Sequence, residues 1–577
     1  MRNGYPASHR AEPAWLINRN REGEGMRTRR TVLIRYIKSA GLLATLLPFC
    51  LAPNLLRILS AKSGDQGNGF YRNPILFSDY SDPDVIRVGE SYYLVASSFH
   101  FMPGIPVLES HDLVNWQIIA HVFPRLEIDP RYSMIGGNRY AQGVWAPSIR
   151  FHAGRFFVYF PTPEEGIFMS SAPSARGPWT TPVAVLPGAG YEDPCPLWDD
   201  DGNTYLIHSR VGAGPLILHR MSPDGTKVLD EGKTIVDDRA TLPTLEGPKL
   251  YKRDGYYYIF APYGGVATGS QAVLRSKNIY GPYESRTVLE QGATSVRGPH
   301  QGGYVETPGG EGWFLHFSQR GGYGRILYLE PVHWKDAWPV IGTPIKGGVA
   351  GEPVDLWPKP NTGRSDPAGR PPMSDDFNNT KELSSQWEWN HNPDDRSWSL
   401  SERPGFLRLK ALPAPDLVHA RNTLTQQMQY ESFDLTTQID VSSMRSGQRA
   451  GLVMFGIYPS WIGVVQTNRS RQIVYGDKEG ESTIAQLTSD TIQLRMHVED
   501  QHVSFSYSID GAGSFLPVQP VKPFAFSWWK ASRPALFTFN AQSKAPFGTV
   551  DVDWVHCLPA GNTMTANDGK QVTAPKP

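Results

Sequence analysis

Five times between residues 70 and 345 the chain repeats one pattern: a glycine, a bulky or aromatic pair, then a β-rich run. The copies are GESYYLVASS from Gly89, GRFFVYFPT from Gly154, GNTYLIHSR from Gly202, GYYYIFAPY from Gly255 and GWFLHFSQR from Gly312. They recur roughly every 50 to 65 residues, and a four-stranded propeller blade takes roughly 40 to 50. A sheet that does not close on itself leaves exposed edges, and five small sheets packed radially remove them. Residues 70–346 are therefore predicted to form a five-bladed β-propeller. An ordinary sandwich with repeated glycine turns is the competing reading.

A Pro/Gly/polar stretch, residues 347–373, follows as a linker or a strap across the propeller. Residues 374–558 then alternate apolar and polar positions in FLRLKAL, SFDLTTQIDV, AGLVMFGI, IQLRMHVED and HVSFSYSI, as half-buried strands do. This predicts a β-sandwich, with IDGAG around Asp510 as a tight hairpin turn and residues 559–577 as a polar, disordered tail. The whole chain is read as all-β.

The N-terminal 1–60 differ. From Met26 a basic stretch leads into a short apolar run, Gly41 to Ala52. That run is too short to span a bilayer but suits an export signal. The adjacent Arg29 and Arg30 resemble a twin-arginine signal; a Sec-type signal or an uncleaved anchor are the alternatives. The expected location is periplasmic or extracellular, with no membrane partner once the signal is removed.

Composition narrows the function further. Fifty-six basic residues balance 56 acidic ones without long runs of either sign, which argues against nucleic acid or an anionic membrane as partner. Sixteen Trp, 25 Tyr and 25 Phe beside 56 Gly and 49 Pro fit a β-protein rich in turns. Cys50, Cys195 and Cys557 have neither zinc-ligand spacing nor the pattern of a disulfide framework.

Three short acidic stretches carry the chemistry: SDPDV around Asp82, YEDPCPLWDD around Asp193 and TLEGPKLY around Glu246. Each sets one carboxylate beside Pro or Gly near an aromatic-rich strand. Three isolated acids at strand edges are what a sugar-cleaving pocket needs: a base, an acid and a charge that tunes the acid. An Asp-Pro pair alone is more often a turn. Asp79, Asp84 and the run Asp199–Asp201 are read as turn or surface charges, and Glu192 as a structural neighbour.

NPILFSDYSDPDVIRVGESYYLVASSFHFMPGIPVLESHDLVNW, GVWAPSIRFHAGRFFVYF, YEDPCPLWDDDGNTYL, LEGPKLYKRDGYYYIF and HFSQRGGYGRILYLEPV together resemble glycoside hydrolase family 43, the xylosidases and arabinofuranosidases built on a five-bladed propeller. The second region, ending in the D-x-D-W strand Asp551 to Trp554, resembles the concanavalin-like sandwich of that family's β-xylosidase branch. The resemblance implies Asp82 as general base, Asp193 as pKa modulator and Glu246 as general acid. It implies Phe99 and Trp145 as apolar walls of the terminal-sugar subsite. Arg320 is the arginine on the sugar's hydroxyls, with Arg325 as competitor. His300 in GPHQGG matches a histidine that in some relatives helps hold a calcium ion; otherwise no cofactor is required.

The resulting expectation is an exported, inverting exo-glycosidase releasing xylose or arabinofuranose from oligo- or polysaccharide. An endo-acting arabinanase and a non-catalytic carbohydrate-binding protein are the alternatives. Retaining propeller enzymes of the invertase and levanase group would set their carboxyls about 5–5.5 Å apart, against about 6.5–9.5 Å for an inverting pair. The natural polysaccharide and the oligomeric state stay open.

Overall fold

The computed structural model describes residues 64–379, 381–509, 513–542 and 547–560. The export segment, the turn at Asp510 and the tail beyond residue 560 lie outside them. Five sheets follow one another along the chain, each with a core of four antiparallel strands; segments from outside the blade extend one of them to five strands and another to six. Blade I begins with Asp84–Val88, blade II with Ser148–His152, blade III with Tyr191–Trp198, blade IV with Lys249–Arg253 and blade V with His300–Glu306. The first strands of blades V, I, II, III and IV neighbour one another in that order, and blade V's first strand meets the second strand of blade IV.

The repeated glycine pattern is the second strand of each blade, entered through a hairpin. The turns need left-handed backbone, which glycine adopts without strain: Gly89, Gly154, Gly202 and Gly255 have φ of 62°, 76°, 83° and 75°. In blade V the same task falls to Gly310, at φ 84°, rather than to Gly312. The ring is closed by the segment before blade I. Leu76–Asp79 pairs with the third strand of blade V, Arg325–Lys335. The Asn73 amide bonds both Leu329 and Val354 at 2.9 Å.

Residues 347–373 act as a strap. Gly351 pairs with Leu289 of blade IV, and Leu356–Pro358 pairs with Phe70–Arg72. Lys359 then reaches Asp65 and Asp112 at 2.8 and 2.7 Å.

The C-terminal region is two packed sheets. The larger recruits a strand from the propeller: Phe101–Met102, in the loop between the second and third strands of blade I, pairs with Trp387–Asn390. An edge strand that would otherwise be open is thereby covered by the other domain. Phe77, Tyr323, Ile326 and Tyr328 of the propeller lie in the same apolar cluster as Trp387, Leu424 and Leu536 of the sandwich. The two domains share a sheet and a core. The last sandwich strand runs to Pro559.

Three acids expected in turns or at the surface have buried side chains. Asp79, 1% exposed, bonds Lys530 of the sandwich at 2.9 Å and accepts from the amides of Arg325 and Ala531. Burial pushes its proton affinity up, but the Lys530 charge and the two amides outweigh that and hold it below the usual carboxylate range. Asp84, 0% exposed, accepts from Arg150 at 2.6 Å and the Ile149 amide at 3.0 Å, joining blades I and II. The Asp199 side chain is also buried, paired with Lys252, whereas Asp200 and Asp201 are exposed.

Candidate active site

The acids come from equivalent places in different blades. Asp82 lies two residues before the first strand of blade I, Asp193 in the opening of that of blade III, and Glu246 three residues before that of blade IV. His300 opens blade V, and Trp145 precedes blade II. Radial packing brings these strand starts to one mouth.

Asp82 is 5% exposed; Ser97 Oγ donates to it at 2.6 Å and Arg325 Nη1 at 2.7 Å. Asp193 is 6% exposed and accepts from Gly247 N at 2.8 Å, Ser209 Oγ at 3.1 Å and Gln301 Nε2 at 3.3 Å. Burial, then the Glu246 charge, push Asp193 up to about 6, with the Gly247 amide opposing them. Glu246 is the open member, its side chain 24% exposed, with His300 Nε2 3.0 Å from Oε1. Glycine is required after it: Gly247 has φ of 60°, and a Cβ there would stand 2.8 Å from the Gln301 side chain.

Glu192 joins the cluster. Successive strand residues ordinarily face opposite ways. Here the register shifts between Glu192 and Cys195, and Asp193 takes a φ of 57°. Carboxylate oxygens of Glu192, Asp193 and Glu246 consequently lie within 4.8 Å of one another. Glu192 accepts from the Ala213 amide at 3.0 Å; burial and the charges of Asp193 and Glu246 push it up to about 9.

Phe99 and Trp145, the two residues expected as an apolar wall, lie side by side. Phe99 and Val144 exchange backbone hydrogen bonds of 2.8 and 3.0 Å, and the Phe99 and Trp145 rings are 6.3 Å apart. Phe99 follows by two residues the serine that holds Asp82.

Arg320 makes no ion pair with this cluster among the described residues. It is exposed beside Tyr328, at the head of the turn Gly321–Tyr323, and that turn carries the chain back so that Arg325 faces Asp82. The guanidinium of Arg325 sits 4.8 Å from the Phe317 ring, 5.7 Å from Phe526 and 5.8 Å from Trp529. Phe526 and Trp529 belong to a sandwich loop whose Trp528 and Trp529 both hold positive φ, 54° and 63°. Trp528 stacks on Tyr140 of the propeller at 3.9 Å. Sequence reasoning missed this loop because no local motif links it to residues some two hundred positions earlier. The one signal was the Trp-Trp pair itself.

Calcium takes six to eight oxygen ligands, waters among them. His300 faces Glu246, whose carboxylate lies within 4.8 Å of those of Glu192 and Asp193, and its Nδ1 meets no polar partner among the described residues. No step is assigned to a metal.

The profile of glycosyl hydrolases family 43 matches residues 71–339, and that of the beta xylosidase C-terminal concanavalin A-like domain matches 374–556. The chain is 36% identical over 546 residues to a beta-xylosidase of Formosa agariphila, covering 85% of this chain and 90% of that protein. It is 31% identical over 476 residues to a non-reducing end alpha-L-arabinofuranosidase of Bacteroides ovatus, covering 77% and 85%. A crystal structure of a GH43 protein from Bacillus licheniformis superposes with a TM-score of 0.72 at 26% identity, covering 85% of this chain and all of the other. With both domains matched and the acids gathered at the propeller mouth, the chain belongs to glycosyl hydrolases family 43.

Proposed function

We propose that this glycoside hydrolase works from the non-reducing end, releases β-linked xylose and, second to it, arabinofuranose from hemicellulose or pectin oligosaccharides, and inverts the anomeric centre. The observation that carries the reading is the separate fixing of two acids. Asp82 is held by Ser97 and Arg325, whereas Glu246 stands with His300 beside buried Asp193. A glycosidic bond breaks through an oxocarbenium-like transition state, so the leaving oxygen is protonated while water is activated on the opposite face. Glu246, 24% exposed at its side chain against 7% for Asp82, meets the leaving oxygen as general acid. Asp82 takes the proton of the attacking water. Asp193 sets the field in which the acid gives up and regains its proton.

The aromatic loop of the sandwich beside Arg325 favours a pocket closed on one side over the open groove of an endo-arabinanase. Xylose and arabinofuranose both enter the proposal because relatives named for each activity match most of this chain. Export to the periplasm or medium follows from the segment after Met26 and is tested by cell fractionation.

The deciding assay is parallel hydrolysis of aryl β-xyloside, aryl α-arabinofuranoside and xylobiose, with Glu246→Ala as control. Activity on xylobiose that collapses in the variant, with a smaller loss on the aryl xyloside, whose leaving group needs little protonation, and the α-anomer of xylose formed first by proton NMR, is expected. A first-formed β-anomer overturns inversion. Inert behaviour on all three, with cutting of linear arabinan, overturns the exo reading.

A further inference from the structure

Lys249 follows Glu246 by three residues and is 0% exposed. A buried ammonium ordinarily pairs with a carboxylate, because it has lost its hydration. Among the described residues no carboxylate lies within ion-pair distance of Lys249. Its Nζ donates instead to the Pro147 carbonyl at 2.8 Å and to Ser148 Oγ at 2.9 Å. Ser148 Oγ donates onward to the Pro194 carbonyl at 2.6 Å. These bonds join the openings of blades II, III and IV, the three that carry Trp145, Asp193 and Glu246.

The charge of Lys249 also reaches Asp193, where it opposes burial and the fields of Glu246 and Asp82. The other charged or titratable groups around this point are Arg325 and His300 of blade V and Glu192 of blade III. Further along the axis lie Arg150 with Asp84, Cys195 and Tyr251. With Glu192 neutral and Glu246 carrying the catalytic proton, two anions remain, Asp82 and Asp193. Arg325 faces the first.

We propose that Lys249 is a positioning residue and the built-in counter-charge of the carboxylate pocket, tying three strand openings together through Pro147, Ser148 and Pro194 and supplying a positive charge whose field reaches Asp193. The proposal rests on the acid and base roles given above, but its first test needs no activity.

Thermal unfolding of the wild type, Lys249→Met and Lys249→Gln is followed from pH 5 to 8. Gln keeps a hydrogen-bond donor and loses the charge. If Lys249 is a counter-charge, both variants fall further below the wild type as pH rises and Asp193 ionises. A gap that stays constant with pH, or a Gln variant that matches the wild type throughout, overturns it. Should the single variants not accumulate folded, Asp193→Asn/Lys249→Met decides. Recovery of folded protein in that double variant supports the counter-charge, and its absence overturns it. In kcat/KM on aryl β-xyloside, Lys249→Gln is expected to lose about 10-fold at pH 6, with its acid limb moved to higher pH. An unmoved acid limb overturns the electrostatic role. A wild type inert on every pentoside sinks the proposed function and leaves the unfolding test standing.

Discussion

The propeller mouth and the sandwich loop build one pocket by opposite means. The mouth takes its acids from equivalent strand openings, each set by a short local motif and held by bonds within or between adjacent blades. The loop brings Phe526 and Trp529 from another domain, and its position depends on a shared sheet, a shared core and the Asp79–Lys530 pair. On the proposed function, chemistry is anchored locally and substrate fit at long range. Damage to the first should abolish turnover, whereas damage to the second should change what is turned over.

Asp82→Asn is the sharpest way to break that division. It keeps the shape of the side chain and removes the proposed base, so kcat on xylobiose should fall by about 10²–10⁴-fold, and because buried Arg325 loses its ion pair the melting temperature should fall as well. A modest loss would mean that water is activated elsewhere. Trp529→Ala comes next. Loss of an aromatic contact is worth about 1–2 kcal/mol, roughly a factor of 10 in kcat/KM. The loss should be similar on xylobiose and on the aryl xyloside, because the loop packs on Arg325, which faces Asp82 and not Glu246. A loss confined to xylobiose would place the loop on the leaving-group side instead.

The same contrast explains what could be read from the sequence. Asp82, Asp193 and Glu246 were legible because each lies in a motif of a few residues beside Pro or Gly. The blades were legible because the glycine at each hairpin must adopt positive φ, and it therefore repeats. Glu192 was not legible, since alternation along a strand predicts it on the opposite face from Asp193, and only the register shift brings it round. Arg325 lost to Arg320 because a short turn of three residues decides which arginine faces inward. Asp79 looked like a turn residue because its partner, Lys530, lies in the other domain.

That ion pair gives the test of the long-range anchor. Removing one partner leaves a buried charge unpaired, so Lys530→Met should destabilise the protein by about 3–5 kcal/mol. Urea unfolding should register this as a lower midpoint. Because the domains share a sheet, the wild type should unfold in one transition by both fluorescence and circular dichroism. Two resolved transitions in the wild type would show that the seam is weaker than its buried contacts imply.

The smallest expected effect is the most specific to the mouth. Glu192 is raised from 4.5 to about 9 by burial and by the charges of Asp193 and Glu246. The folded state therefore keeps a proton that the unfolded chain releases above pH 4.5. The sign follows from linkage: the contribution of Glu192 to stability is intact below pH 4.5 and declines as pH rises toward 9. Glu192→Gln is neutral in both states and escapes that decline. Its melting temperature should gain on the wild type steadily between pH 5 and 8, while the Ala213 amide keeps an acceptor. A difference that does not vary with pH would mean that Glu192 is ionised in the folded pocket. The mouth would then hold one more negative charge than Arg325 and Lys249 can balance.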